Sequence, residues 1–156
     1  FTLLSLILIS MVTISCSQEP AEIHYASDEC AHCKMMITDN HFAAQIVTKK
    51  GKAIKFDAVE CMAGYAKAHK EDLKEAKFWV SDYSNPGQWL SLAQARFVQS
   101  EVVKSPMGAF LLALPGEEQM HTHLLDKPGK EITWQQILKI EMNKGMSMPS
   151  HKMNNH

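Results

Sequence analysis

The pattern of apolar and polar positions predicts two successive groups of short strands and helices. In the first group, two strand-like apolar stretches flank a Lys-Gly-Lys turn at 50–52 and predict a hairpin. A helix is expected next, because apolar residues recur at helical spacing. Asp57 is expected to cap this helix, with Glu60 completing a capping box. The predicted elements are strands at 42–49 and 53–56, a helix at 58–70 and a strand at 76–81.

The second group repeats this order. A strand-like stretch centred on Phe97 precedes a Ser-Pro-Met-Gly turn, and a run of apolar residues follows the turn. Pro115 is expected to begin a helix that carries Glu in its first turn. Helices that alternate with hairpins indicate an α+β fold with a weak internal duplication. The predicted elements are strands at 93–103 and 109–114, a helix at 115–126, a short strand or helix entry at 131–134 and a helix at 135–143.

The first residues of the sequence are apolar and uncharged. Residues 1–15 are too few for an ordinary membrane-spanning helix, which needs about 20, and they fit the apolar core of a signal peptide whose start is missing. Cys16 follows Ser15, as in bacterial lipoprotein signals, so we expect Cys16 to become a lipidated N-terminus. The alternatives are a plain signal peptide with an incidental Cys, and a helix that stays in the membrane.

These patterns divide the chain into four parts. We expect a signal peptide at 1–15, a lipidated tether at 16–21, one domain at 22–142 and a disordered tail rich in Met and His at 143–156. The two halves of the domain are predicted at about 22–84 and 85–142. With 16 Lys and Arg against 17 Asp and Glu, the charge balance argues against a nucleic-acid partner.

Cysteine and methionine provide the candidate chemistry. Cys30 and Cys33 have CxxC spacing, and Met35 places a thioether close to them. A haem-attachment site is excluded because Lys34 follows the second Cys. A zinc site completed by Cys61 and a His, a thioredoxin-like redox motif and a structural disulfide remain open. Cu(I) is favoured because thiolate and thioether are both soft donors.

Other candidates are weaker. Met107 lies in a Pro-Met-Gly turn, where it either packs inward or serves as a ligand. Cys61 is expected to be buried and inert on the first helix. His121 and His123 are two residues apart, so they do not share a helical face and are not expected to share a metal. No nucleophile–base pair or phosphate-binding loop is evident, which favours a carrier rather than an enzyme.

Several motifs together resemble the NosL family. They are Cys30-x-x-Cys33-x-Met35-x-Ile37, Phe42-Ala43-Ala44-Gln45, Lys50-Gly51, Phe56-Asp57-Ala58, Glu60-Cys61-Met62, Ser105-Pro106-Met107-Gly108 and Ile132-Thr133-Trp134. They occur in the family's order over about residues 22–142. Lys34 stands where relatives often have Gly, which puts the shape of the local turn in question.

The resemblance implies a function and a fold. Family members are periplasm-facing, copper-binding lipoproteins that supply Cu(I) for the maturation of nitrous oxide reductase. The implied partners are nitrous oxide reductase and its copper-site assembly transporter, and the implied fold has two similar small ββαβ-type halves. The implied copper ligands are Cys30 and Met107 first, Cys33 second and Met35 third. The rival from another class is a CxxC thiol–disulfide oxidoreductase of the cell envelope.

Overall fold

Two antiparallel sheets organise residues 17–140, the part of the chain that the computed structural model describes. The elements in chain order are β1 (Ala44–Val47), β2 (Ala53–Phe56), α1 (Val59–Ala68), β3 (Lys77–Ser81), β4 (Trp89–Ser91), β5 (Ala95–Gln99), β6 (Leu111–Pro115), α2 (Gly116–Asp126), β7 (Lys130–Ile132) and α3 (Trp134–Ile137).

The two halves share one topology. The first sheet has the order β2-β1-β3-β4, and the second has the order β6-β5-β7. In each sheet the first strand of the half lies between the second and third, all pairs are antiparallel, and a helix connects the second strand to the third. The predicted α+β fold with two similar ββαβ-type halves is therefore confirmed. The short strand β4 is an addition to the first sheet, and it comes from beyond residue 84.

Helix α1 joins the halves. It packs against β1 and β2 of the first sheet and against β6 of the second. Phe56, Met62 and Leu111 are almost fully buried in the core between these elements. Burying each such side chain contributes about 1.5–3 kcal/mol, so the start of α1 is held by both halves.

The start of α1 differs from the prediction. The capping residue is Ala58, which makes no side-chain bond to the helix, so the predicted capping box of Asp57 and Glu60 is wrong. Both carboxyl groups are buried and accept hydrogen bonds from distant residues instead: Asp57 from Cys33 and Glu60 from Ser105. These tertiary partners outcompete the local cap.

The last helices also differ in extent. Pro115 ends β6, and α2 begins at Gly116, one residue later than predicted. Helix α3 spans only Trp134–Ile137 and is followed by a turn to Ile140, whereas the prediction placed a longer helix there. Its last predicted residues, the tail at 143–156 and the signal segment with Cys16 all lie outside the described residues. Within residues 17–140, no helix has the length and apolar character needed to cross a membrane.

Candidate metal centre

Cys30 and Cys33 lie on a tight loop before the first sheet. The loop closes through an antiparallel bridge between Glu29 and Met36, with the Cys30 amide donating to the Met35 carbonyl (2.8 Å). Lys34 has a φ of +66°, in the left-handed region that glycine favours. The loop therefore keeps a turn of the kind that Gly would form, although a lysine occupies it.

This loop is fixed to β2. The Ala31 amide donates to the Lys55 carbonyl (2.9 Å), and the Lys55 ammonium pairs with Asp28 at 2.6 Å. The hydrogen bond from Lys55 lowers the pKa of Asp28, which keeps the pair charged. Two independent attachments thus hold the CxxC turn against the strand that leads to Asp57.

Asp57 and Cys61 approach the loop from the other side. Asp57 follows β2 directly, and Cys61 is the third residue of α1. Both side chains are buried, and their spacing of four residues places them on one side of the chain as it enters the helix. The end of β2, the start of α1 and the CxxC turn therefore converge.

The result is a compact cluster of three thiols and one carboxylate. One ligand atom from each of Cys30, Cys33, Asp57 and Cys61 lies within 4.8 Å of the others. The Cys33 thiol donates to Asp57 Oδ2 at 3.4 Å. Asp57 Oδ1 is buried and has no hydrogen-bond partner among the described residues. An unpartnered buried carboxylate oxygen beside three sulfurs favours a bound cation.

Hydrogen bonds distribute the charge unevenly among the sulfurs. The Cys61 thiol donates to Cys30, and with the amides of Cys33 and Asp57 it lowers the pKa of Cys30 to about 7. Donating that bond raises the pKa of Cys61. Burial raises the pKa of Cys33 to about 12. Cys30 is therefore the sulfur that most easily becomes the thiolate, which is the ligating form.

A second loop approaches the same helix. Glu60 Oε1 accepts hydrogen bonds from the Ser105 hydroxyl (3.0 Å) and from the Ala109 amide (3.4 Å). Met107 lies between these two residues and packs, half-buried, against the core cluster that contains Cys30. Glu60 thereby ties the Met107 loop to the turn of α1 that carries Cys61.

Comparisons with known proteins agree with this architecture. The family model of NosL matches residues 20–142. The chain belongs to the NosL family. The resemblance inferred from the sequence motifs is thus confirmed. The crystal structure of the copper chaperone NosL from Shewanella denitrificans is similar, with 18% sequence identity, a TM-score of 0.64, and coverage of 77% of this chain and 96% of that chain. At this identity the likeness shows the shared fold. A comparison with curated proteins finds no match.

The structure brings together some of the residues predicted as ligands of this NosL protein. Cys30 and Cys33 lie in the cluster. Met35 belongs to the same loop, but its side chain is 44% exposed. Met107 enters on the separate loop held by Glu60. Their role as copper ligands stays a prediction, as does the lipidation of Cys16, which lies outside the described residues.

Sequence reasoning missed Asp57 and ranked Cys61 low. The sequence position of Asp57 predicts a helix cap, and Cys61 is expected to be an inert core residue, with a ligand role only in the zinc alternative. Their spacing was the available signal, because residues four apart share one side of a helix. No histidine of the described residues joins the cluster, so the predicted zinc alternative with a His ligand is replaced by one with Asp57.

Proposed function

We propose that this NosL protein is a Cu(I) carrier rather than an enzyme. The observation that supports the proposal most strongly is the convergence of three thiols within 4.8 Å, beside a buried carboxylate. Cu(I) prefers soft sulfur ligands, whereas carboxylate suits harder ions. The thiolates of Cys30, Cys33 and Cys61 are the proposed main ligands. Met107 and Met35 are proposed as additional thioether ligands from two neighbouring loops. Asp57 contributes negative charge and a hydrogen-bond acceptor rather than a bond to copper.

The exposure of the sulfurs suits transfer of copper to a partner. Cys30 and Cys61 are fully buried, whereas Cys33 is half-buried. Copper therefore enters and leaves past Cys33, where the sulfur of a partner can approach and replace one ligand at a time. Met35 follows Cys33 by two residues on the same loop, and its exposure leaves a thioether accessible to solvent.

The same geometry argues against the rival oxidoreductase. A thiol that attacks a disulfide must be both a thiolate and accessible. Cys30 has a pKa of about 7, but its relative exposure is 0%. Cys33 is more accessible, but burial raises its pKa to about 12. Neither cysteine of the CxxC motif meets both conditions.

Zinc is a second candidate ligand, because one specific observation favours it. Three sulfurs and one carboxylate oxygen are the number and type of donors that a tetrahedral Zn²⁺ site uses. A structural zinc site would make the fold depend on the metal, so a chelator would unfold the protein. A Cu(I) carrier would instead keep its fold without metal.

An anaerobic Cu(I) titration of the reduced protein against a chromophoric Cu(I) chelator tests the proposal. We expect about one Cu(I) to bind tightly. Replacing a ligating sulfur in Cys30→Ser, Cys33→Ser, Cys61→Ser or Met107→Leu should weaken binding at least about tenfold, which corresponds to about 1.4 kcal/mol. Met120 on α2 is buried with Val98 and Leu112 of the second sheet, in a core cluster separate from that of Cys30. Met120→Leu is therefore the matched control and should bind like the wild type.

Two further controls decide between the alternatives. Met35→Leu is compared with Met36→Leu, because the neighbouring methionines are exposed to similar degrees, 44% and 55%. A loss of affinity in Met35→Leu alone supports a thioether ligand on this loop. If all cysteine variants bind Cu(I) as tightly as the wild type, the carrier proposal is wrong. Unfolding of the untreated protein by a zinc chelator would favour the structural zinc site.

The physiological part of the proposal extends to the location and the partners. We propose that Cys16 is lipidated, that the domain faces the periplasm, and that copper passes to nitrous oxide reductase through its copper-site assembly transporter. A nitrous-oxide-reducing bacterium that lacks its own NosL provides the test. The wild-type chain should restore the copper content of the reductase, and Cys61→Ser should not. Equal restoration by both chains would contradict this role.

A further inference from the structure

The segment that follows Cys16 is packed onto the first sheet. Gln45 is completely buried, and its side-chain amide bonds to both main-chain groups of Ala21, at 2.9 and 3.0 Å. The Gln18 side chain donates to the carbonyls of Val47 (3.3 Å) and Glu75 (2.7 Å). The segment at 17–21 is therefore attached to the domain rather than free to swing.

The segment enters the domain at one particular end of the sheet. The Ser17 carbonyl lies 3.3 Å from the position that a Cβ on Gly51 would occupy. Gly51 forms the tip of the turn between β1 and β2, with a φ of +81°. Going along the chain, Gln18 lies beside Val47 and Ala21 beside Gln45, so the segment runs away from this tip. The described chain therefore begins beside the turn, at Ser17.

The turn carries a basic surface. Lys50 and Lys52 are exposed and form no ion pair within residues 17–140. Lys49 is also exposed and is paired with Glu75 at 2.6 Å. We call Lys49, Lys50 and Lys52 the basic turn. Its charge is complementary to the phosphate headgroups of an anionic bilayer.

The metal centre lies at the opposite end of the same hairpin. Strand β2 leads from the basic turn to Asp57. The Asp57 carboxylate accepts the hydrogen bond from Cys33 of the metal centre. The six steps from Gly51 to Asp57, at about 3.3 Å per residue, separate the two ends by about 20 Å. A bilayer in contact with the turn would leave the three sulfurs on the far side.

We propose that the basic turn is a membrane-docking surface that holds the domain with its metal centre pointing away from the bilayer. The inference rests on the proposed membrane attachment at Cys16. A lipid on Cys16 or a retained apolar helix at 1–15 would place the bilayer next to Ser17 in either case. Because residues 17–21 are fixed to the sheet, the attachment point and the lysines meet the headgroups together. Copper exchange then takes place on the side that faces away from the membrane.

Lysine acylation of the full, membrane-attached chain tests this orientation. The protein is reconstituted in discs of phosphatidylethanolamine with phosphatidylglycerol, or of phosphatidylcholine alone, and treated with a water-soluble acylating reagent. Lys50 and Lys52 should react about fivefold more slowly in the anionic discs, the factor that corresponds to one basic side chain held at an anionic surface. Lys34, beside the metal centre, should react equally in both.

Two comparisons make the result specific. Lys127 and Lys130 flank another exposed turn and should react equally in both discs. In the wild type, Lys49 should also be acylated more slowly in the anionic discs. In the double variant Lys50→Glu/Lys52→Glu, Lys49 should be acylated at the same rate in both kinds of disc. Equal acylation of Lys50 in both discs would overturn the docking surface, and slower acylation of Lys34 would overturn the orientation. A chain that fails to float with any vesicle would overturn the attachment itself, whereas the Cu(I) titration tests the carrier function separately.

Discussion

Replacing Lys34 by glycine should stabilise the protein. The lysine has a φ of +66°, and a left-handed conformation costs a residue with a Cβ about 1–2 kcal/mol. Glycine removes this strain, but its greater freedom in the unfolded chain costs about 0.5–1 kcal/mol. The Lys34 side chain is exposed, so little packing is lost. The net gain in the free energy of unfolding should be about 0.5–1 kcal/mol.

Urea unfolding of the reduced, metal-free protein measures this gain. For an m-value of about 2 kcal/mol/M, the midpoint should rise by about 0.4 M. Lys34→Ala is the matched control, because it removes the side chain and its charge but keeps the Cβ, and it should show no such gain. Ala26→Gly, at a φ of +59°, should give a similar rise without removing a long side chain.

The Cu(I) affinity of Lys34→Gly should equal that of the wild type, because the turn keeps its shape. If the Lys34→Gly variant is no more stable than the Lys34→Ala variant, the positive φ at residue 34 does not cost the protein stability. A large loss of affinity would show that the loop geometry depends on the lysine itself.

Two further predictions concern buried polar groups. Gln45→Leu removes both hydrogen bonds to the main chain of Ala21 and should lower the free energy of unfolding by about 2–4 kcal/mol. Urea unfolding measures this loss. An unchanged midpoint would show that Gln45 does not hold the N-terminal segment. Burial raises the pKa of Glu60 above its ordinary value of 4.5. The stability that the neutral carboxyl group provides is therefore fully present below pH 4.5, and it is lost as the pH rises through the raised pKa. Because Gln cannot ionise, the stability of Glu60→Gln relative to the wild type should increase with pH, by at most about 1.4 kcal/mol per pH unit. A difference in stability that does not change with pH would contradict this.

Local patterns were sufficient to predict most of the fold. The strands β1, β2, β3, β5 and β6 and the helices α1 and α2 coincide with apolar runs and helical periodicity, because each of them buries apolar side chains in the core. The short strand β4 has only three residues, too few for a pattern, and pairing with β3 determines it. The short α3 begins at a capping box of Thr133 and Gln136, which local sequence does encode.

The metal centre was only half predictable, since tertiary contacts override local preferences there. Asp57 has the sequence position of a helix cap, yet its carboxylate accepts a hydrogen bond from Cys33 on a loop 24 residues earlier. Cys61 looks like an ordinary core residue until the CxxC turn is placed against it. The CxxC spacing alone identified Cys30 and Cys33, because it implies convergence without any knowledge of the fold.

The most direct test of the copper centre is X-ray absorption at the copper edge of the protein loaded with one Cu(I) under reducing conditions. A three-thiol centre predicts that all atoms bound to copper are sulfurs, and that Cys61→Ser changes the number or distance of these sulfurs. A spectrum dominated by nitrogen or oxygen ligands, or one unchanged in Cys61→Ser, would contradict the three-thiol centre.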